Sequence, residues 1–299
     1  MKRTQHRSRR GWCLFVAALV LGGALLAVWT TVGQSTRFKY APKPRIAWTG
    51  PSPPEVVIFA VSGRCGLRCN APDANREYLT ETGATEQIAG AFHRLGLSTY
   101  VLAYRAHLFN AQDRSRDGNA QYGFLQLEAD FDWVRSNWPA SRRVLLGHSH
   151  GVNWTHNLLR LHPGWTVDYL IDLDGVCLQW EKDNSRYFEE YYAWRGGNPW
   201  RLDPSKSCNV VPVPSDHGPL LLDVKDVVYP GARSDLEVRT AQGPVRDRTP
   251  NRRPEGSTRG LFALVTGESH PATAIVGTKA LDWVARTVLR LEEAREPAK

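Results

Sequence analysis

The sequence predicts an α/β protein with a doubly wound, mainly parallel sheet and a small aromatic-rich lid. Apolar runs of strand length alternate with segments that carry apolar side chains at helical spacing. Val56–Val61 is a continuous apolar run, which is typical of a strand covered on both faces. Behind its N-terminal region the chain keeps ~260 residues, enough for a single core with at most a small lid.

The other elements follow the same alternation along the chain. Residues 88–95 have helical spacing and end at Gly96, a residue suited to the left-handed conformation at a helix C-terminus. We predict strands at 100–104, 144–146, 169–173, 220–226 and 262–265, and further helices around 127–138, 158–161 and 281–291.

The strand at 144–146 leads directly into the pentapeptide Gly147-His148-Ser149-His150-Gly151. The pattern is similar to the nucleophile elbow of α/β-hydrolases, in which the serine lies on a sharp, strained turn and small residues at the two ends keep the strand and the helix from colliding. Such a turn exposes Ser149 Oγ above the carboxyl end of the sheet. In that family the turn also directs the N–H of the following residue, here His150, toward a developing oxyanion.

This context resembles the nucleophile elbow of the α/β-hydrolase superfamily, and the resemblance covers roughly residues 55–295. It implies an esterase- or lipase-like serine hydrolase with Ser149 as nucleophile and the N–H of His150 as one half of the oxyanion hole. The family places the other donor on the loop after an early strand, which here begins Ser62-Gly63-Arg64-Cys65. Gly63 follows Ser62 where the family usually has a His-Gly pair, and it is the expected second donor.

The resemblance also implies a histidine base on the loop after the last strand, and His270 alone among nine histidines has that place. The acid normally follows the strand before the last one. The predicted strand at 220–226 makes Asp226 the first choice and Asp223 the second. Asp174, which ends an earlier strand, has a position that some members of the family use instead.

Four cysteines beyond the N-terminal region favour disulfides, most simply Cys65 with Cys69 and Cys177 with Cys208. A Cys₄ zinc site is the rival, although the second pair offers no knuckle spacing. The lid is expected at about 177–217, where aromatic and charged residues are mixed. Its aromatic side chains either form a wall for an acyl chain, an aromatic group or a sugar face, or hold the lid on the sheet.

Residues 1–36 predict a signal anchor or a cleaved signal peptide. A basic stretch precedes about 22 uncharged residues, enough to span the hydrocarbon of a bilayer. Because positive charge stays on the cytoplasmic side, the rest of the chain is expected to be extracytoplasmic. A Pro-rich connector at 37–55 then leads to the catalytic domain at 56–295.

The charge of +8 does not indicate a nucleic-acid partner, because five basic residues lie within the first ten positions. A second basic cluster, at 239–259, is interleaved with Gly, Pro and Asp and is typical of a solvated loop. The expected partners are a small-molecule or lipid ester and, through the N-terminal segment, the membrane. A serine mechanism requires no cofactor and no metal. The oligomeric state stays open.

Two other function classes remain open. A zinc-dependent metallohydrolase would use His148 and His150 as ligands, but Val152 and Asn153 stand where the extended motif has an acid and a histidine. A non-catalytic surface protein on a hydrolase-like fold is the other class. The presence of both Ser149 and His270 counts against it.

Overall fold

A computed structural model describes residues 42–66, 68–111 and 120–295. The expected anchor at 1–36 and the start of the connector lie outside these residues. Within the described ranges, the structure contains no helix with the length and apolar character needed to cross a bilayer.

The central sheet has six parallel strands. In chain order the eight strands of the described residues are β1 Val56–Val61, β2 Thr99–Tyr104, β3 Arg142–His148, β4 Val167–Leu173, β5 Val211–Val213, β6 Leu220–Leu222, β7 Ala232–Thr240 and β8 Leu261–Thr266. The sheet order is β2-β1-β3-β4-β7-β8, while β5 and β6 pair antiparallel in a separate ribbon. Because all six strands run the same way, their carboxyl ends meet at one edge, where ligands bind in open sheets of this kind.

Helices cover both faces of the sheet. Those of the described chain are α1 Ala84–His93, α2 Phe124–Asn137, α3 His150–Leu161, α4 Trp180–Arg195 and α5 Lys279–Glu293. Val56 and Ile58 of β1 belong to one core cluster with side chains of α1 and α5. Phe59, which alternation places on the other face, packs on Phe131 of α2 with 5.0 Å between ring centroids. The predicted doubly wound, mainly parallel architecture is confirmed.

The strand before the last differs from the sequence-based prediction. Residues 220–226 were expected in that place, but β6 covers only Leu220–Leu222 and pairs with β5 outside the main sheet. The penultimate strand of the sheet is β7, which the apolar pattern does not reveal. Its buried side chains include Asp235 and Glu237, which accept hydrogen bonds from Asn251.

Both expected disulfides are present. Cys65 is bonded to Cys69, and Cys177 is bonded to Cys208. The second bond joins the two ends of a segment that contains α4. Disulfides persist in oxidising compartments, so the two bonds are compatible with an extracytoplasmic protein.

The aromatic residues of that segment pack it against helices α3 and α2. Trp180 and Phe188 of α4 pack on Trp154 of α3, with 4.8 and 5.7 Å between ring centroids. Trp200 lies 6.0 Å from the ring of Phe124 on α2. The indole N–H of Trp180 donates to a backbone carbonyl, so its burial leaves no unpaired donor. The sequence left two roles open for these aromatic residues, a wall for the substrate or a structural role. Their packing supports the structural role.

Helix α3 lies close to the backbones of β1 and β3, and one glycine permits each approach. A Cβ atom on Gly151 would lie 1.9 Å from the carbonyl oxygen of Val61. A Cβ atom on Gly147 would lie 2.7 Å from backbone atoms of Val152. Both glycines therefore serve close packing between the strand and the helix, as the pentapeptide predicts.

We expect Gly151→Ala to lower the free energy of unfolding by about 1–3 kcal/mol, because the added methyl group overlaps the backbone of β1. Gly90→Ala in α1 is the matched control. No atom lies within 4 Å of its added Cβ, so helix propensity should make that variant as stable as the parent or slightly more stable. Urea unfolding of the three proteins measures the difference, and equal stability of Gly151→Ala and the parent would contradict the close approach.

Candidate active site

Ser149 lies on a strained turn between β3 and α3. Its φ and ψ are 56° and −123°, a combination that non-glycine residues rarely adopt. The turn is held on both sides: the N–H of Ser149 donates to the carbonyl of Leu173 (3.1 Å), and its carbonyl accepts from Val152 (3.2 Å) and Val176 (3.3 Å). Such strain persists only where neighbouring structure enforces it, and it is the defining feature of a nucleophile elbow. The fold is that of the α/β hydrolases.

The carboxylate of Asp174 lies against His270. Asp174 directly follows β4, and its Oδ2 accepts from His270 Nδ1 at 2.6 Å. Thr240, the last residue of β7, donates its N–H to Oδ1 and its hydroxyl to Oδ2, both at 2.9 Å. The N–H of Asp247 also donates to Oδ1, at 3.0 Å. The carboxylate therefore accepts four hydrogen bonds.

These hydrogen bonds decide the charge of Asp174. Burial by itself would raise its pKa, but the hydrogen bonds from His270, Thr240 and Asp247 hold the pKa below its usual value. An ionised carboxylate has no proton to donate, so Nδ1 of His270 carries the hydrogen. In the neutral form of the ring, Nε2 then carries the lone pair that a general base needs.

The two carboxylates ranked first from the sequence lie away from His270. Asp226, the first choice from the sequence, is hydrogen-bonded to the ammonium of Lys225, which also contacts Asp247 at 2.7 Å. Asp223, the second choice, accepts from the backbone N–H of Asn209. Neither carboxylate bonds to His270 among the described residues. The physical reason is that residues 220–226 are not a strand of the main sheet, so their end does not lie beside the histidine loop.

His148 supports the histidine loop from the side of the elbow. Its Nε2 lies 3.1 Å from the carbonyl oxygen of His270, and the two rings are 4.8 Å apart. Burial lowers the pKa of His148 to about 3, so the ring is neutral. Its Nδ1 contacts the hydroxyl of Tyr78, and that oxygen accepts from the N–H of Gly63 at 2.8 Å. Tyr78 thus joins the elbow to the loop after β1.

That contact changes the expected oxyanion hole. The N–H of Gly63, the donor expected from the sequence, is engaged by Tyr78, and the N–H of Cys65 donates to Asn75 Oδ1 (3.0 Å). In the described part of this loop the N–H of Arg64 has no protein partner. The N–H of His150, at the first position of α3, is also without one. Free N–H groups therefore include those of His150 and Arg64, two residues that line the same cavity as Ser149.

The side chains of His148 and His150 are occupied by protein groups. His150 Nε2 lies 2.6 Å from the carbonyl oxygen of Leu178, and burial lowers the pKa of this histidine to about 4. Within the described ranges, neither histidine belongs to a group of side chains close enough to share a metal ion. The two rings act as internal supports of the elbow.

A cavity of about 770 Å³ opens in front of Ser149 and His270. Its lining residues are Arg64, Cys65, Gly66, Tyr78, Thr82, His148, Ser149, His150, Val176, Leu178, Gln242, Gly243, Pro244, Val245, Gly267, Ser269, His270, Pro271, Ala274 and Ile275. No residue of α4 is among them. The segment expected to be a lid therefore contributes to the cavity through Leu178, and the loop after β7 forms the facing wall.

Ser149 and His270 face the same cavity without bonding to each other. No hydrogen bond joins Ser149 Oγ to the ring of His270 in the described structure, although Ser149 is only 5% exposed. Nucleophile and base are often separated in unliganded enzymes and approach in the substrate complex. The arrangement brings a serine hydroxyl, a histidine held by a carboxylate, and residues with free N–H groups to one cavity.

Tyr78 and Thr240 belong to the site but do not stand out in the sequence. Tyr78 follows an irregular segment with no motif, and its role depends on the return of the chain to the elbow. Thr240 ends a strand that lacks an apolar pattern. The sequence indicates Thr240 only indirectly. In the α/β hydrolases the end of the penultimate strand normally carries the acid, whereas here it carries Thr240, which donates two hydrogen bonds to Asp174.

Comparisons with solved structures find α/β hydrolases at low sequence identity. Est1E from Butyrivibrio proteoclasticus is 14% identical, with a TM-score of 0.42 over 81% of this chain and 89% of that one. An α/β serine hydrolase homologue from Coxiella burnetii is 14% identical, with a TM-score of 0.38 over 83% and 88%. The esterase domain of a Rhodothermus marinus protein is 10% identical, with a TM-score of 0.41 over 84% and 90%.

No protein-family model matches the sequence, and no curated protein matches it. At the identities and TM-scores of the structural matches, the fold assignment depends on the strand order and on the elbow. The chemistry has to be argued from the geometry of the site.

We expect Tyr78→Phe to lower the free energy of unfolding by about 1–3 kcal/mol, because the N–H of Gly63 and Nδ1 of His148 both lose a partner in a buried setting. Tyr229→Phe is the control, since no hydrogen bond of the Tyr229 hydroxyl occurs in the described structure. Chemical denaturation compares the two variants. Equal stabilities would show that the Tyr78 hydroxyl does not hold the loop.

Proposed function

We propose that this protein is a serine hydrolase that cleaves carboxylic esters through an acyl-enzyme on Ser149. The observation that carries the proposal is the pairing of Asp174 with His270 at the cavity that also exposes the strained Ser149. A buried, ionised carboxylate fixes the orientation of the ring and its tautomer in the way that a catalytic base requires. A serine on a strained elbow is placed for attack.

Acylation follows from these positions. Nε2 of His270 accepts the hydroxyl proton as Ser149 Oγ attacks the ester carbonyl, and the carbonyl oxygen becomes an oxyanion. The N–H groups of His150 and Arg64 stabilise that oxyanion. His270 then gives its proton to the alkoxide of the leaving alcohol, and the acyl group remains on Ser149.

Deacylation uses the same groups in reverse. His270 takes a proton from a water molecule, the resulting hydroxide attacks the acyl carbon, and Ser149 leaves with the proton from His270. Asp174 stays ionised throughout and stabilises the imidazolium that forms at each step. No step requires a cofactor.

The cavity supports an ester with an apolar acyl or aromatic group. Val176, Leu178, Pro244, Val245 and Ile275 contribute apolar surface to its walls. An adjoining cavity of about 440 Å³ shares the first four of these residues. Together the two spaces accommodate both sides of a scissile ester bond.

The metallohydrolase alternative has less support. It requires ring nitrogens of His148 and His150 that face a common ion, but Nε2 of His148 lies on the carbonyl of His270 and Nε2 of His150 lies on that of Leu178. Those two contacts draw the rings to different parts of the backbone.

Labelling with a fluorophosphonate probe and turnover of a short-chain aryl ester test the nucleophile. We expect Ser149→Ala and His270→Ala to lose labelling and to lower turnover by ~10³-fold or more. Ser269→Ala is the matched control, because Ser269 lines the cavity but is no part of the proposed machinery. Turnover within tenfold of the parent in Ser149→Ala would contradict the proposal. Absence of both labelling and turnover in the parent would favour a non-catalytic protein.

The acid is tested by paired aspartate substitutions. Asp174→Asn should lower turnover by ~10³-fold or more, because the amide leaves His270 without the partner that fixes its tautomer. Asp226→Asn removes a carboxylate that contacts Lys225, so its turnover should stay within about tenfold of the parent. The kcat of both variants is measured on the same aryl ester. The reverse order of effects would return Asp226 to the role of acid.

A further inference from the structure

A second cluster of buried titratable groups lies apart from the candidate active site. It joins Asp172 on β4, Asp235 and Glu237 on β7, His156 on α3 and Asn251 on the connection between β7 and β8. None of the five is more than 3% exposed. Carboxylates buried to this degree must be protonated, paired with a cation or bound to a metal.

Three of these side chains present acceptor atoms to a common point. One ligand atom from each of His156, Asp172 and Asp235 lies within 4.8 Å of the other two. Oδ2 of Asp172 is 2.7 Å from Nε2 of His156. Nδ2 of Asn251 donates one hydrogen to Oδ2 of Asp172 (2.9 Å) and the other to Oδ2 of Asp235 (3.0 Å), so one amide group bridges the two carboxylates.

The hydrogen bonds within the protein do not satisfy this cluster. Oδ1 of Asp172, Oδ1 of Asp235 and Oδ1 of Asn251 are buried and have no hydrogen-bond partner in the described structure. Each unpaired buried oxygen is costly, and three in one place are unusual in a native core. A cation among them would remove that cost.

The orientation of His156 fits a metal ligand. Its Nδ1 lies 3.0 Å from the carbonyl oxygen of Val227, a bond that requires a hydrogen on Nδ1. Nε2 points at Oδ2 of Asp172, so in the apo protein it donates a second hydrogen to that carboxylate, and a metal ion would replace that hydrogen. Metal-binding histidines typically have their second nitrogen held by a backbone carbonyl in this way.

The neighbouring cations are directed to other groups. Arg253 donates to the backbone carbonyls of Val228, Tyr229 and Ala232. Arg239 approaches Glu237 at 3.4 Å. In the described structure neither guanidinium bonds to Asp172 or Asp235, so these two carboxylates have no ion-pair partner other than His156.

We propose that His156, Asp172 and Asp235 bind one divalent transition-metal ion, zinc or manganese, which fastens the connection between β7 and β8 to the sheet. Imidazole together with carboxylates suits these metals, whereas calcium and magnesium prefer oxygen ligands alone. The role is structural. The connection carries Asn251, which touches both carboxylates, and Asp247, whose N–H holds Asp174.

A proton is the competitor of the metal ion. Burial and the adjacent charge of Asp172 raise the pKa of Asp235 well above its usual value, so a neutral Asp235 would also relieve the repulsion. The two occupants make opposite predictions for Asp235→Asn. An amide imitates the protonated carboxyl group and should leave stability unchanged or raise it, whereas loss of a ligand should remove the metal and lower stability.

Metal content and thermal unfolding of the purified full-length protein test the proposal. We expect about one zinc or manganese ion per chain by elemental mass spectrometry. Dipicolinate should lower Tm by about 5 °C or more, and added Zn²⁺ or Mn²⁺, but not Ca²⁺ or Mg²⁺, should restore it. Fewer than about 0.1 ions per chain, with a Tm that neither the chelator nor the metals change, would overturn the proposal.

Asp235→Asn and Asp132→Asn make the matched pair of variants. Asp132 is an exposed aspartate on α2 that pairs only with Arg135 in the described structure, so its variant should keep the metal and its chelator response. Asp235→Asn should purify with little metal and a lower Tm that dipicolinate does not change further. Unchanged or raised Tm in Asp235→Asn would assign the cluster to a proton. Should Asp235→Asn not fold, the measurements on the parent protein decide.

Discussion

The site depends on one buried carboxylate. Asp174 accepts hydrogen bonds from His270, from the N–H and hydroxyl of Thr240 and from the N–H of Asp247, and its own N–H donates to Val238. Those contacts join the end of β4, the end of β7, the following connection and the histidine loop. A buried carboxylate that has no contact with solvent needs hydrogen-bond donors from several directions. This need fixes how the four segments meet.

The connection between β7 and β8 shows a second consequence of buried polarity. This connection contains no helix, although in doubly wound sheets the connection between parallel strands usually contains a helix that covers one face of the sheet. An irregular segment must find partners for its backbone carbonyls, and Arg253 supplies several. Arg253, Asp247 and Asn251 are buried, so the interpretation of 239–259 as a solvated basic loop is wrong for this part of it.

In the segment closed by the Cys177–Cys208 disulfide, the residues that pack against the helices differ from the residue that lines the cavity. Its aromatic rings pack against Trp154 and Phe124, whereas its contribution to the cavity comes from Leu178. The facing wall is the stretch 242–245 after β7. For the proposed hydrolase, substitutions that alter substrate preference are therefore expected at Leu178 and at 242–245, which line the same cavity as Ser149, and not among the rings of α4.

The sequence by itself determined the features that are local in the chain. Alternating apolar runs predict the sheet and its helices, and the pentapeptide around Ser149 predicts a turn whose glycines the backbone contacts require. The spacing of the cysteines favours the pairing that is present. His270 is recognisable because it follows the last strand, which is itself apolar enough to be seen.

Only the tertiary structure decided which acid meets His270 and which donors stay free. β7 carries Asp235 and Glu237 where a strand normally shows apolar residues, so hydrophobic periodicity passes over it and assigns its place to 220–226. The choice of Asp226 followed from that shift. Likewise Tyr78 takes the N–H of Gly63 across a gap in sequence that no motif bridges. Local patterns report burial by apolar neighbours, whereas a strand buried against polar groups is recognisable only once those groups are in place.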